Sequence, residues 1–387
     1  MKYYTFFIFL ALSFSLSSQT NPDCPGNAAT DGFNVLVQVV GGQTITREYI
    51  LYLPENYDSN QETPVVINFH GFGGCASDYA EEVGEFYELH KLADEKNFIV
   101  VYPQAAYRPE KEDVYWEPGD NGSQNIYEND VYFTEQLILG MFQTHNIDLT
   151  KIYACGYSNG GMMTYSLACS RPNLFAAIGI MSGTMLDENC VSGDAVPVIK
   201  FHGIEDGVLP YNGSIWYQSV SEVVNFWLDH NDIPESSLIT SSLNEGKIGR
   251  DEYVNENNSA CVTLYTVFEE WDKPGDHVWF SDQIEGLTPN ELLWNFFVTK
   301  CSLISSTKEE SDLSKLIEIA PNPVEDQMVI SSNIGDTKKY EIIDQIGSIC
   351  QKGTIANTTQ TIDCSNLIPG AYVLSFDGQR IKFIKAK

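Results

Sequence analysis

Lys151-Ile-Tyr-Ala-Cys-Gly156-Tyr157-Ser158-Asn159-Gly160-Gly161-Met-Met-Thr-Tyr-Ser-Leu-Ala-Cys169 is the stretch on which the reading of the fold turns. Residues 151–155 form an apolar run of strand length, and 162–169 have the spacing of an amphipathic helix. Between them lies Gly-x-Ser-x-Gly. In that context the motif predicts a sharp strand-to-helix turn that holds Ser158 in strained geometry and pushes its hydroxyl out above the sheet. A side chain at 156 or 160 is expected to collide with the neighbouring strand and helix, which accounts for glycine at both. The N–H of Asn159 then sits at a helix N-terminus, aimed where negative charge would develop on a bound carbonyl oxygen. The five-residue motif alone is weak; the strand before it and the helix after it make it specific.

A serine needs a base to become nucleophilic at neutral pH, and a strand–Ser–helix turn of this kind orders its partners Ser, acid, His along the chain. Of the six histidines, His70, His90 and His145 precede Ser158. His202 precedes the best acid, and His230 ends a helical segment. His277 remains, in Lys273-Pro-Gly-Asp-His277-Val-Trp, a loop after the strand-like run 261–268. Asp206 is the expected acid, in a Gly-bounded turn just past the run 196–201, with Glu205 its adjacent rival. The second oxyanion donor is expected from His70-Gly71-Phe72-Gly73-Gly74, after the run 65–69, with the N–H of Phe72 the candidate and His70 structural beneath the loop. Trp116, Tyr211, Trp216 and Trp279 are candidates to line a cleft, with core packing as the competing reading.

Outward from this site the chain alternates apolar runs (34–40, 47–53, 65–69, 98–102, 151–155, 176–181, 196–201, 261–268) with amphipathic stretches (79–91, 131–142, 162–169, 220–230, 290–298). Two early strands followed by strand–helix alternation predict an α/β fold with a mostly parallel sheet covered by helices. Residues 302–315 are small and polar and read as a linker. The short strand-like pieces beyond it (316–319, 328–331, 340–343, 361–364, 371–376) predict a small all-β sandwich over 316–387. The N-terminus reads as a secretory signal over 1–18: Lys2, an apolar run over 6–16, then Ser17 and Ser18. Residues 19–301 are left for the main domain.

The chain has 387 residues, 53 acidic against 22 basic, and a formal charge of −31. Such a surface repels phosphate backbones, so nucleic acid is set aside as a partner. Nothing after the signal reaches the roughly 20 apolar residues of a membrane helix, so the mature protein is read as lacking a span. Nine cysteines suit an oxidising compartment, and none has zinc-site spacing, so neither metal nor cofactor is expected. Cys155 is the expected unpaired thiol, and Cys350 with Cys364 a guessed bridge.

From about Gly41 to Lys300 the chain resembles the polyhydroxybutyrate depolymerase and feruloyl esterase family of secreted esterases, α/β-hydrolases. The resemblance rests on residues 41–57, His70-Gly71-Phe72, Val101-Tyr102-Pro103-Gln104, Asp130-Val131, the Ser-Asn-Gly-Gly-Met-Met run from Ser158 to Met163, and His202-Gly-x-x-Asp206 with Pro210-Tyr211. It implies Ser158 as nucleophile, Asp206 as acid and His277 as base. The family's Gly-Gly-His-x-Trp-Pro is replaced here by Gly275-Asp276-His277-Val278-Trp279-Phe280. The region from Ile317 onward resembles the sorting domain of the type IX secretion system, through Pro321-Asn322-Pro323 with Asp326, Asp344 with Gly347, Leu367 with Gly370 and Tyr372, and the basic end over 382–387. It implies the type IX machinery as a partner and a secreted or cell-surface location. The expected activity is hydrolysis of a polymer-attached ester, foremost a feruloyl or other aryl ester of xylan. A polyhydroxyalkanoate or general short-chain esterase is the alternative, followed by a serine peptidase or a non-catalytic binding protein.

Overall fold

A computed structural model describes residues 17–18, 33–40, 43–80, 89–108, 112–118, 130–186, 190, 195–255, 261–270, 273–299, 317–320, 324–332, 338–344, 349–356, 359–368, 370–376 and 379–385. Six parallel strands form the middle of an 11-stranded sheet, in the spatial order Ile99–Pro103, Thr63–Phe69, Ile147–Tyr157, Ala177–Met181, Val198–Gly203, Cys261–Val267. Antiparallel pairs close both ends. Gln43–Tyr52 with Phe33–Val40 flanks Ile99–Pro103, and Ile248–Val254 with Ile239–Leu243 flanks Cys261–Val267.

The side-chain period of two explains why the central strands are apolar without a break. Ile67, Val101, Ile152, Ala154 and Val198 join the core on one face of the sheet. Val66, Val100, Tyr153, Cys155 and Ile199 join the core on the other. Helices Asp130–Thr144, Asn159–Ser170 and Val220–His230 supply Leu137, Met163 and Trp227 to the first face. Leu89–Lys96 and Pro289–Thr299 supply Leu92 and Phe296 to the second. Tyr153 lies flat on Phe297 and Phe98 on Trp294, with ring centroids 4.9 and 4.2 Å apart. Each such buried ring contributes about 1.5–3 kcal/mol over leaving it in water. The helix Val220–His230 is capped as its sequence specifies: Ser219 and Glu222 form a reciprocal capping box.

The edge strands Ile239–Leu243 and Ile248–Val254 were not among the expected strands. The outer strand is largely exposed and the inner one only partly buried, so their sequences Ile-Thr-Ser-Ser-Leu and Ile-Gly-Arg-Asp-Glu-Tyr-Val carry polar residues where full burial would have imposed apolar ones. The C-terminal region pairs as three strands (Ile317–Ala320, Gln327–Ser332, Thr359–Asp363) and four (Ile349–Ile355, Lys338–Asp344, Gly370–Phe376, Gln379–Lys385). They bury Met328, Ile330, Tyr340, Ile342, Leu374 and Phe383 in a core of their own. Ile349–Ile355 and Gln379–Lys385 were likewise missed.

Cys350 and Cys364 are not bridged, contrary to expectation: Cys350 is exposed on its strand while Cys364 is buried in the sandwich core. Cys155 is a buried thiol, as expected. Cys169 and Cys190 form a disulfide at the end of the helix that follows Ser158, and Cys75 and Cys261 are each engaged in a disulfide with another cysteine. The linker at 302–315 and most of the signal segment lie outside the described residues; Ser17–Ser18 pair parallel with Ile45 and Thr46. No helix among the described residues is long and apolar enough to cross a membrane.

Candidate active site

Ser158 sits at the end of strand Ile147–Tyr157 with φ 53° and ψ −116°, as N-cap of helix Asn159–Ser170. That conformation is strained for a residue with a Cβ and persists because the surroundings over-determine it. The Ser158 N–H donates to the Met181 carbonyl at 2.9 Å, and its own carbonyl accepts from Met162 at 3.0 Å. The two glycines permit the turn. A Cβ on Gly156 would overlap the backbone of Gly160, and one on Gly160 the carbonyls of Phe69 and His70, all well inside 3.0 Å.

Loops at the ends of neighbouring strands bring the other two groups to Ser158. His277 Nε2 lies 2.9 Å from Ser158 Oγ, and His277 Nδ1 lies 2.8 Å from Asp206 Oδ2. Nδ1–H donating to the carboxylate leaves Nε2 as an acceptor facing the hydroxyl. The loop that carries His277 is strapped to the acid loop and the nucleophile strand. Glu205 N–H donates to the Gly275 carbonyl at 2.8 Å, Tyr157 Oη–H to the His277 carbonyl at 2.9 Å, and Ser182 Oγ–H to the Val278 carbonyl at 2.9 Å. Gly203 and Gly275 allow the close approach, since a Cβ on either would meet backbone of the facing segment.

Asp206 is buried, whereas Glu205 is exposed, which separates the two rivals. Asp206 Oδ1 accepts from the N–H groups of Val208 (2.9 Å) and Leu209 (2.7 Å). Burial pushes its pKa up, but the bonds from His277 and Leu209 and the neighbouring imidazoles outweigh that and hold it below the usual carboxylate range. Behind it stands His202, a residue to which sequence reasoning gave no role. His202 Nε2 is 2.8 Å from the Leu209 carbonyl and 3.3 Å from Asp206 Oδ2, so the ring braces the acid loop. Burial, followed by the charge of Lys200, lowers its pKa to about 3.

The oxyanion side is built by elimination. In the loop after Thr63–Phe69, the Gly71 N–H donates to Tyr79 Oη, the Gly73 N–H to the Val114 carbonyl and the Gly74 N–H to the Gly71 carbonyl. The Phe72 N–H has no partner among the described residues, and neither does the N–H of Asn159 in the first helical position. A Cβ on Gly71 would stand 3.6 Å from the Ser158 Cβ, so this loop lies against the nucleophile. His70 holds the loop from below: Nδ1 bonds the Gly71 carbonyl at 2.7 Å, and Nε2 accepts from Ala105 N–H at 3.1 Å. Burial lowers its pKa to about 4.

The four aromatic candidates part company. Trp116 and Trp279 are 0 % and 2 % exposed and pack in the core, the competing reading of both. Trp116 packs edge-on against Phe69 and donates Nε1–H to the His70 carbonyl at 2.8 Å. Its backbone N–H and C=O are both taken by the side chain of Asn159, at 2.7 and 3.0 Å. Trp279 donates to Asn290 Oδ1. Tyr211 is half-buried, with its hydroxyl on Thr266 Oγ1 at 2.8 Å. Trp216 is 78 % exposed on a tight loop held by Ser214 Oγ, which accepts from the N–H groups of Trp216 and Tyr217. The Asn159 clamp was missed. Its only sequence signal is an amide side chain directly after the nucleophile.

A serine on a strained strand–helix turn, with a histidine and a buried aspartate from two later loops of a mostly parallel sheet, defines the α/β-hydrolase class of fold. Two stretches of the chain match known families: residues 45–235 the putative esterase family, and residues 318–386 the secretion system C-terminal sorting domain. The sorting domain marks the protein as secreted or held at the cell surface. A probable feruloyl esterase C of Aspergillus clavatus is 34% identical over 172 residues, covering 44% of this chain and 58% of that relative. One from Aspergillus terreus is 28% identical over 209 residues, covering 54% and 70%. This chain thus spans 58% of the length of the first of these relatives. Among solved structures, an acetyl xylan esterase from Aspergillus awamori superposes with a TM-score of 0.51 at 15% identity, over 69% of this chain and 99% of that one, a likeness of fold.

Proposed function

We propose that the protein is a serine carboxylic ester hydrolase, exported by the type IX machinery, that acts on feruloyl or other aryl esters of plant cell-wall xylan. The observation that carries the reading is the continuous chain Ser158 Oγ–His277 Nε2 (2.9 Å) and His277 Nδ1–Asp206 Oδ2 (2.8 Å). In this reading Ser158 attacks the ester carbonyl while His277 takes its proton, and Asp206 stabilises the imidazolium. The N–H groups of Phe72 and Asn159 receive the oxyanion. His277 then protonates the leaving alcohol, and water repeats the attack on the acyl-enzyme. The choice of aryl esters draws on the feruloyl esterases the chain resembles in sequence. Trp216, exposed on its hydrogen-bonded loop, is suited to stack on a sugar ring of the alcohol portion. The catalytic unit is read as residues 19–301, after a signal at 1–18, with 302–315 as linker and 316–387 as the sorting domain.

The test is hydrolysis of methyl ferulate beside short p-nitrophenyl esters by the full chain and by Ser158→Ala. Ferulate turnover that vanishes in the variant supports the reading. Turnover of the short esters alone moves it to a polyhydroxyalkanoate or general esterase. Turnover of neither sinks it and leaves a peptidase, to be sought in a casein digest, or a binding role.

A further inference from the structure

The strand Val198–Gly203 is buried along its whole length, yet its third residue is a lysine. Lys200 is 1 % exposed and points into the core that lies between the sheet and the nucleophile helix. Its neighbours across the sheet are Ile180 and Leu264, and its Nζ stands 5.9 Å from the centroid of the Tyr165 ring in helix Asn159–Ser170. Its one hydrogen bond among the described residues is Nζ–H donated to the Gly183 carbonyl. Burial lowers its pKa to about 7, against the lift from the charge of Asp206. The proton transfers of ester hydrolysis leave this group unused, and burying an ammonium is costly.

The carbonyl it holds belongs to a segment on which the site depends. The Met181 carbonyl accepts the Ser158 N–H, and Ser182 Oγ–H donates to the Val278 carbonyl in the base loop, each at 2.9 Å. Ser182 has φ 48°, a left-handed conformation that a residue with a Cβ keeps only when its surroundings enforce it. Gly183 is pressed against the first turn of the nucleophile helix, since a Cβ on it would stand 2.9 Å from Gly161 Cα. Lys200 ties this segment down from inside the core. Two residues further along the same strand, His202 backs Asp206.

We propose that Lys200 is a positioning residue for the hydrolase site: by holding the Gly183 carbonyl it fixes segment 181–184, and with it the turn of Ser158 and the loop of His277. The proposal rests on the ester-hydrolase reading and adds to it a group that touches no substrate. A methionine would fill nearly the same space without the hydrogen bond, and folding alone favours it. The lowering from 10.5 to about 7 corresponds to a factor on the order of 10³ in the folding equilibrium at pH 7. One orphaned buried carbonyl costs only about 5- to 150-fold. The lysine is therefore kept at a net cost in stability, which a positioning role explains and a purely structural bond does not.

The test compares the full chain with Lys200→Met and Lys200→Gln at pH 7, on p-nitrophenyl acetate and in urea unfolding. Expected in Lys200→Met is a urea midpoint no lower than that of the unaltered protein, together with a kcat lower by roughly tenfold to a hundredfold and a KM within about twofold. Lys200→Gln still carries an N–H donor toward Gly183 and should regain roughly threefold or more of the lost kcat. Amide exchange read by mass spectrometry should be faster over 181–184 in Lys200→Met and unchanged over the helix Pro289–Thr299. An unchanged kcat, a lower midpoint, no folded Lys200→Met, or a Lys200→Gln no faster than Lys200→Met overturns the proposal. If the unaltered protein hydrolyses no ester, the activity reading fails separately. Exchange over 181–184 then decides the anchor: faster in Lys200→Met supports it, and unchanged refutes it.

Discussion

Acid should destabilise this protein through His70, and the amount follows from its surroundings. The ring is fully buried. It donates Nδ1–H to the Gly71 carbonyl and accepts the Ala105 N–H at Nε2, so a second proton would set N–H against N–H. Burial lowers the folded pKa to about 4 from the ordinary 6.5, despite the lift from the Gly71 bond and the Asp130 charge. Between these values the unfolded chain binds a proton that the folded chain refuses, so stability declines as pH falls through that window. At about 1.4 kcal/mol per tenfold of proton activity, acidification from neutrality to pH 4.5 withdraws about 2 kcal/mol on account of His70 alone. All six tryptophans lie between residues 116 and 294, so their fluorescence follows the hydrolase domain without the sandwich. Urea unfolding of the full chain at pH 7 and 4.5, with and without His70→Gln, gives the difference. The variant should be less stable at pH 7, having lost two buried bonds, but its loss between the two pH values should be smaller by about 2 kcal/mol. An identical pH dependence in both proteins would refute the assignment of a neutral, Nδ1-protonated His70 beneath the oxyanion loop.

Asp206→Asn should keep the fold, since an amide can still accept from Val208 and Leu209, but favour the His277 tautomer with the proton on Nε2. A fall in kcat of about 10³–10⁴ is expected, and a fall below tenfold in ester turnover would count against Asp206 as the orienting acid. Gly160→Ala would drive a Cβ into the Phe69 and His70 carbonyls, so soluble yield and Tm should both drop sharply; a Tm within a degree or two of the unaltered protein would contradict the close approach. Opening the Cys169–Cys190 disulfide, which closes a 21-residue separation behind the nucleophile helix, should cost about 3 kcal/mol, read as a lower urea midpoint for the Cys169→Ser/Cys190→Ser pair.

The elements legible in the sequence are those whose residues carry their own reason. Gly156 and Gly160 are required by a turn that no side chain fits, so the strand, Ser158 and the helix could be placed from one local stretch. The unbroken apolar runs announced buried parallel strands because both faces of such a strand are covered. Asp206 and His277 followed from chain order, and the structure brings both to Ser158 through loops that share one end of the sheet. The edge pair 239–254 escaped notice because strands that are exposed or only partly buried are under less pressure to be apolar.

Orientation was a different matter. A tryptophan reads the same in sequence whether it lines a cleft or fills a core. Only packing shows that Trp116 is sealed against Phe69 and His70, that Trp279 is tied to Asn290, and that Trp216 stands in solvent. The same holds for contacts between residues far apart in the chain: Asn159 gripping the backbone of Trp116, His202 bracing Leu209 beside Asp206, and Phe72 stacked on Tyr115. Local sequence determines where the backbone must turn and which faces must be dry, because sterics and burial act on each segment by itself. Which side chains meet across the top of the sheet is decided by the mutual placement of separate loops, and that placement exists only once the sheet has formed.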